Sequence, residues 1–307
     1  MTKNNHIVEK YTNLLRSRYN DGVGFVNRMG GISRPDAACW AILALQASGD
    51  KSSLIEKGQK QLKDSQDADG SISISADQRD SYWPTPLAIL AWHGEPKYKE
   101  PQARAIKFLL DFDESLTKEF DKEIVGHNGM IRGWSWVANT YPWVEPTAYA
   151  LIALRISGYG AHERTQDAIK LLIDRQLPHG GWNYGNTFVY KQELRPMPET
   201  TGLALQALCG LVPRRNIEKS IMYLQSQLAS LHTPIALASS IFGLGAWDQE
   251  FDKRTEYIVD TLNRQEKYGF YDTVSLGILL TAWYCENGLV RYLQDKTRSV
   301  YGIKNDE

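Results

Sequence analysis

A helix-hairpin sequence repeats six times along this chain, and the inner helix of the hairpin carries a recurring motif. In the motif an acidic residue stands nine positions before a closing Leu, with Ala and Leu at helical spacing between them. The three clearest copies begin at Asp36, Glu145 and Glu199. A repeat of this size can bury its apolar face only against neighbouring copies. The sequence therefore predicts an all-α array of paired helices.

The two helices of each hairpin differ in composition. The first has apolar residues at three- and four-residue steps with charged residues between them, which predicts an outer, half-exposed helix. The second is rich in Ala, Leu and Gly, which predicts a helix enclosed on most sides. Several of these inner helices have Pro in the first turn and Gly just past the end, as helix termini favour. Inner helices are predicted near 35–48, 83–93, 145–157, 198–211, 233–246 and 273–287.

A second signature links each outer helix to the inner helix that follows. Its best copy runs from Gln176 through Gly180 to Trp182, and related copies start at Gln66 and Gln265. Gly permits a sharp turn, and the Gln amide is expected to bond backbone groups at a neighbouring helix end. The signature thus predicts tight packing between successive repeats.

Composition narrows the functional classes. The 307 residues carry a net charge of -1, so nucleic acid is not expected as a partner. No apolar run is long enough to cross a bilayer, and the amino terminus lacks an apolar signal region. The three cysteines lie in apolar helical runs and are expected to be reduced thiols. We therefore expect one cytoplasmic domain spanning residues 1–307, with contacts to a membrane surface or a protein partner left open.

The Gln-to-Trp signature and the paired helices together resemble the repeat of squalene and hopene cyclases, shared with the β subunits of protein prenyltransferases. The resemblance covers residues 5–290 and implies an α6/α6 toroid, with six inner helices ringed by six outer ones around a central cavity. It also implies an apolar, isoprenoid-like small-molecule ligand in that cavity.

The same resemblance singles out one acid. Class II terpene cyclases protonate their substrate with an Asp-x-Asp-Asp motif before an inner helix, and Asp36 falls on its middle, proton-donating Asp. Arg34 and Ala37 replace the first and last Asp. Glu145 and Glu199 share the register of Asp36 and are expected at the same cavity mouth, so all three are candidate catalytic acids. Acids in a first helical turn are also favoured by the helix dipole alone.

Two insertions, residues 113–143 and 183–197, interrupt the repeat spacing before inner helices, and both are expected over the same end of the toroid. Long ordered insertions are commonly functional. The ligand-binding candidates in and beside them are the aromatics Trp83, Trp143 and Tyr184 and the cations Arg132 and Arg195.

Three functions are consistent with these residues. The leading hypothesis is a terpenoid-cyclase-like protein, with protonation-initiated cyclisation as its chemistry. The second is a non-enzymatic toroid that binds a lipid, a cofactor or a protein. The third is a metal-dependent prenyltransferase-like subunit, for which Asp36, Cys39 and His232 are the nearest equivalents of the zinc ligands that the resemblance implies. The Asp-x-Cys spacing of that family is absent, and the sequence predicts neither a metal nor a cofactor.

Overall fold

The structure, a computed structural model, describes residues 3–113, 115–121 and 123–301. The described helices are α1 (Lys3–Arg16), α2 (Pro35–Ala47), α3 (Leu54–Asp64), α4 (Pro84–Trp92), α5 (Lys99–Asp111), α6 (Val144–Ile156), α7 (Glu163–Asp174), α8 (Pro198–Leu208), α9 (Glu218–Gln227), α10 (Pro234–Ala246), α11 (Arg254–Asn263), α12 (Gln265–Tyr268), α13 (Thr273–Tyr284) and α14 (Leu289–Tyr301). Short strands form two antiparallel pairs, β1 (Tyr19–Asn20) with β2 (Gly24–Phe25), and β3 (Phe188–Val189) with β4 (Gln192–Glu193).

Six helices form a closed inner ring. Each of α2, α4, α6, α8, α10 and α13 packs against the next, and α13 returns to α2. Every residue of α4 is buried, and the other inner helices are nearly as enclosed. The outer helices α1, α3, α5, α7, α9 and α11 each lie against two neighbouring inner helices. This arrangement confirms the predicted α6/α6 toroid.

Local sequence explains where the inner helices begin and end. Proline opens α2, α4, α8 and α10, where its missing N–H has no helical partner to lose. Gly49 and Gly158 follow α2 and α6 with φ of 72° and 90°, the left-handed conformation that ends a helix. In the linker signature, Gln66 Nε2 donates to the carbonyl of Pro101 in the first turn of α5 at 2.9 Å.

Large aromatic side chains lie at the barrel axis. The resemblance to the cyclase repeat implied an open cavity at this place. The rings of Trp40 and Tyr149 are 6.3 Å apart, and those of Trp40 and Phe242 are 6.5 Å apart and stacked. They come from α2, α6 and α10, which are not neighbours in the ring, so they meet across its centre. All three side chains are buried. At this level the expectation of an open cavity is wrong.

Glycines on the inner helices account for the narrow barrel. A Cβ on Gly243 of α10 would lie 2.5 Å from the carbonyl oxygen of Gly202 on α8. A Cβ on Gly277 of α13 would lie 2.9 Å from backbone atoms of Trp40. These helices therefore touch through their backbones, which draws one side of the ring inward and brings the aromatic rings into contact.

Helix α14 lies across the C-terminal ends of the inner helices. It packs against α6 and α10, with Leu289, Val290 and Leu293 buried. The Leu289 amide donates to Gln206 Oε1 of α8 at 3.2 Å. Because this end is covered, approach to the inner helices is from their N-terminal ends. In the described part of the chain no helix is both long and apolar enough to traverse a bilayer.

The two insertions pack against each other. Val125 pairs with Val189 in an antiparallel bridge, which adds a segment of the first insertion beside β3 of the second. The Tyr190 amide donates to the carbonyl of Ile124 at 2.9 Å. This pairing shows that the two insertions lie side by side, while their position over one end of the toroid stays a prediction.

Candidate functional site

The three predicted acids all lie in the first turns of inner helices, at the accessible end of the ring. Asp36 begins α2, Glu145 begins α6 and Glu199 begins α8. One helical turn deeper, Trp40 and Tyr149 stand four residues after Asp36 and Glu145, so they lie beneath those two acids. We call this end, bounded by the first turns of the inner helices, the mouth.

Glu145 and Glu199 form an interacting pair on neighbouring helices. Burial raises the pKa of Glu145 to about 7, and the negative charge of Glu199 adds to this shift. Within the described residues no side chain donates a hydrogen bond to the Glu145 carboxyl. Its charge also raises the pKa of Tyr149 below it, after the larger effect of burial. Glu145 is thus a carboxyl that holds its proton close to neutral pH.

Glu199 has a different environment from its neighbour. The Tyr184 hydroxyl donates to Glu199 Oε1 at 3.0 Å. Tyr223 lies within electrostatic range of the same carboxylate. Burial and then the Glu199 charge raise the Tyr223 pKa to about 12. The Tyr184 carbonyl accepts from the Val144 amide at 2.9 Å, which fixes the insertion against the start of α6. Tyr184 and the start of α6 together hold Glu199 in place at the mouth.

Asp36 is occupied by an ion pair. Arg34 Nε donates to Asp36 Oδ1 at 3.0 Å and Arg34 Nη2 donates to Oδ2 at 2.6 Å. The Asp36 side chain is 3% exposed and that of Arg34 is 35% exposed. In the Asp-x-Asp-Asp motif, Arg34 stands at the position of the first Asp, which indicates only that a carboxylate is missing there. Opposite charges two residues apart at a helix start were the signal that could have predicted the pair.

The predicted aromatics lie at the starts of three inner helices, with Trp83 before α4, Trp143 before α6 and Tyr184 against Glu199 of α8. Trp83 meets Trp136 of the first insertion edge to face, with ring centroids 5.1 Å apart. The Trp143 ring lies so close to Gly185 that a Cβ there would be 2.8 Å from it. Tyr184 is 43% exposed beside Glu199. Trp136 was not among the predicted ligand contacts, although the Trp-Ser-Trp sequence of the insertion contains it.

The two predicted cations do not join the acids. Arg132 donates to Asp167 Oδ2 on outer helix α7 at 2.8 Å and lies within 4.0 Å of Asp113 and Glu163. Its guanidinium is therefore engaged on the outer wall. Arg195 is exposed on the second insertion, where its carbonyl accepts from Asn183 Nδ2 at 2.7 Å.

The described residues contain no cluster of three or more His, Cys, Asp or Glu side chains that could hold a metal ion. Cys39 is fully buried, which raises its pKa well above the ordinary value, and the nearby Asp36 charge adds to this. With Asp36 bound to Arg34, the Asp36, Cys39 and His232 combination of the metal-dependent hypothesis has no support in this geometry.

Comparison with known proteins relates the fold to several enzymes. No family model matches the chain, and no curated protein matches its sequence. A family 76 glycoside hydrolase (mannosidase) from Bacteroides thetaiotaomicron superposes with a TM-score of 0.57 at 13% identity, over 95% of this chain and 100% of that one. A protein from Actinoplanes gives 0.59 at 14%, over 95% and 99%. A type II terpene cyclase from Scytonema gives 0.52 at 16%, over 94% and 82%. At these identities the likeness is one of fold, and α/α toroids host both activities.

Proposed function

We propose that the mouth of the toroid hydrolyses a glycosidic bond, with Glu145 and Glu199 as its two acting carboxyl groups. The observation that carries the proposal is the inequality of this pair. One carboxyl holds its proton near neutral pH, while its neighbour accepts a hydrogen bond from Tyr184. Paired carboxyl groups in unequal environments are the usual apparatus of glycoside hydrolysis.

The environments assign a role to each group. Protonated Glu145 donates its proton to the oxygen of the leaving sugar as the bond to the anomeric carbon breaks. Glu199 acts on the same sugar either as the base that takes a proton from water or as the nucleophile. Tyr184 orients Glu199 through their 3.0 Å hydrogen bond. A donor with a pKa near 7 retains its proton at neutral pH yet releases it readily in the transition state.

The side chains at the mouth suit a sugar. Beneath the mouth the rings of Trp40, Tyr149 and Phe242 meet across the barrel axis, where a long apolar chain would have to enter. The Trp83 and Trp136 pair provides aromatic surface at the start of α4, the inner helix that precedes α6 in the ring. The apolar face of a sugar ring packs well against such surfaces. The mannosidase likeness adds support from a second direction.

Protonation-initiated cyclisation is the second candidate, favoured by the aromatic rings of Trp40 and Tyr149 below the acids, which stabilise positive charge. Protonating an alkene requires a strong acid. Asp36 has both carboxylate oxygens engaged by Arg34, and Glu145 is a weakened acid because its pKa is about 7. The geometry therefore favours glycoside chemistry over cyclisation.

The test is a substrate survey with matched variants. Purified protein is incubated with end-labelled manno-, gluco- and galacto-oligosaccharides of both anomeric configurations, and in parallel with squalene and geranylgeranyl diphosphate. Hydrolysis of an oligosaccharide by wild type and by Glu218→Gln, but not by Glu145→Gln, supports the proposal. Glu218 is the matched control because it is an exposed carboxyl on α9, paired with Arg214.

Other outcomes count against the proposal. Cyclised products from squalene or the diphosphate would favour the terpenoid hypothesis. Binding of an isoprenoid without conversion of any compound would favour the non-enzymatic toroid.

A further inference from the structure

A groove of about 720 Å³ lies between the two insertions, outside the mouth. Its size falls within the range of ligand sites. The lining side chains that matter here are Glu119, Phe120, His127, Met130, Asp174 and Phe188. The repeat alone does not produce this groove, because all of these residues except Asp174 belong to the insertions.

The groove walls are fixed before any ligand arrives. The Asn128 amide donates to Asp174 Oδ2 at 3.0 Å, and Arg175 Nη1 donates to the Asn128 carbonyl at 3.2 Å. On the opposite wall the Gly126 amide donates to the Phe188 carbonyl at 3.3 Å. Such anchoring lowers the entropy cost of binding, since the walls need not be ordered by the ligand.

Two aromatic rings line the groove. Phe188 lies directly on Gly126, where a Cβ would be 1.9 Å from the ring. Phe120 packs edge to face on His127 at 5.6 Å and also contacts Tyr141 at 5.2 Å. Both phenylalanines are partly exposed. Rings held by their neighbours in this way provide rigid surfaces for an apolar face of a ligand.

The charges in the groove favour a neutral ligand. Asp174 is neutralised by Arg175 and by the Asn128 amide. Burial, and then the positive charge of Arg175, lower the His127 pKa to about 4, so the imidazole is neutral at neutral pH. Glu119 is exposed at the rim. Among the described lining residues there is no lysine or arginine to attract a phosphate, and the inner carboxylate is already paired.

The described lining combines aromatic faces and neutral hydrogen-bonding groups with an inner carboxylate that is already paired, which suits a hydroxyl-rich chain. We propose that this groove is a subsite for a neutral glycan. It is separate from the mouth and binds another part of the same polymer. The glycan class rests on the proposed function. A single segment connects the two places, since Tyr184 lies at Glu199 and Phe188, four residues later, lines the groove.

The test is electrophoresis of the full chain through gels that contain yeast mannan, dextran or polygalacturonate. Wild type is expected to be retarded by a neutral polysaccharide and not by the anionic one. Phe188→Ala and Phe120→Ala should each weaken that retardation by about 3- to 10-fold, the weight of one aromatic contact. Met130→Arg, at a residue 50% exposed, fills the groove without disturbing the fold and should weaken it similarly.

Phe270→Ala is the matched control, because Phe270 is 68% exposed but lies before α13, away from the groove. Unchanged retardation in Phe188→Ala, Phe120→Ala and Met130→Arg overturns the subsite. The subsite is also overturned if polygalacturonate alone retards the wild-type protein, or if no neutral polymer retards it.

The subsite and the proposed function can fail separately. Glu145→Gln should lose hydrolysis of a labelled disaccharide, while its retardation by the neutral polysaccharide should stay that of wild type, since Glu145 does not line the groove. Groove-dependent retardation without any hydrolysis would leave the subsite standing and remove the proposed catalysis.

Discussion

The two sides of the mouth carry acids in the same register but with different chemistry. Asp36 and Glu145 both lie in the first turn of an inner helix, nine residues before a Leu. Asp36 is held by two hydrogen bonds from Arg34. Glu145 instead faces a second carboxylate, and its pKa rises to about 7. The repeat determines where a carboxyl is placed, and the nonrepeating neighbours determine whether it is held in an ion pair or has a raised pKa.

The largest effect is expected when the proton donor of the proposed pair, Glu145, is replaced. Glu145→Gln keeps the shape of the side chain but cannot donate, so kcat/KM on a cleaved oligosaccharide should fall by about 10²- to 10⁴-fold. The unfolding temperature should not fall, because the substitution replaces a carboxyl that the Glu199 charge repels with a neutral amide. Steady-state kinetics beside Glu218→Gln measures the effect, and retained activity would remove Glu145 as the acid.

The pH dependence of stability should separate the two sides next. Glu145 keeps its proton up to about pH 7 when folded, whereas its ordinary value is 4.5. The folded state therefore binds more protons in this window, so the free energy of unfolding falls as pH rises from about 4.5 to 7. We expect a loss on the order of 2 kcal/mol relative to Glu145→Gln, measured by urea unfolding at several pH values. Parallel curves for the two proteins would contradict the shift.

Loss of the Tyr184 hydroxyl tests how Glu199 is held. Tyr184→Phe removes a hydrogen bond to a charged group, so kcat should fall about tenfold while KM changes little. The control is Tyr190→Phe, at an exposed residue of the same insertion. Equal activity in both variants would show that Tyr184 does not position Glu199.

The Asp36 side should respond in stability rather than in rate. Asp36→Asn leaves Arg34 without its ion-pair partner and should lower the free energy of unfolding by about 1 kcal/mol, because Arg34 is partly solvated. Activity on the oligosaccharide should change less than twofold, within the noise of roughly 0.4 kcal/mol. A large loss of the hydrolysis rate with an unchanged free energy of unfolding would show that Asp36 takes part in catalysis.

The toroid could be predicted from sequence because its evidence is local and repeated. An apolar inner helix recurs in each hairpin, with Pro at most of the helix starts and Gly at most of the helix ends, and closure of the ring follows from the number of hairpins. Glu145 and Glu199 were found by the same register.

The filled barrel axis could not be predicted in this way. Contact of Trp40 with Phe242 depends on the diameter of the ring, which the backbone approach of Gly202 and Gly243 narrows. The Arg34 and Asp36 pair was missed because comparison with an acidic motif showed what Arg34 replaced, and not what it could bind. The groove depends on pairing between insertions about sixty residues apart, as between Val125 and Val189, which no repeat pattern encodes.

The most direct test of the account is the protonation state of Glu145 itself. Carbon-13 NMR of the glutamate carboxyls, with Glu145→Gln used to assign the signal, gives its titration midpoint without any substrate. We expect a midpoint near pH 7 in wild type, from burial and the Glu199 charge, and a lower midpoint in Glu199→Gln. A wild-type midpoint near the ordinary 4.5, unchanged in Glu199→Gln, would contradict the claim that the mouth holds a coupled acid pair.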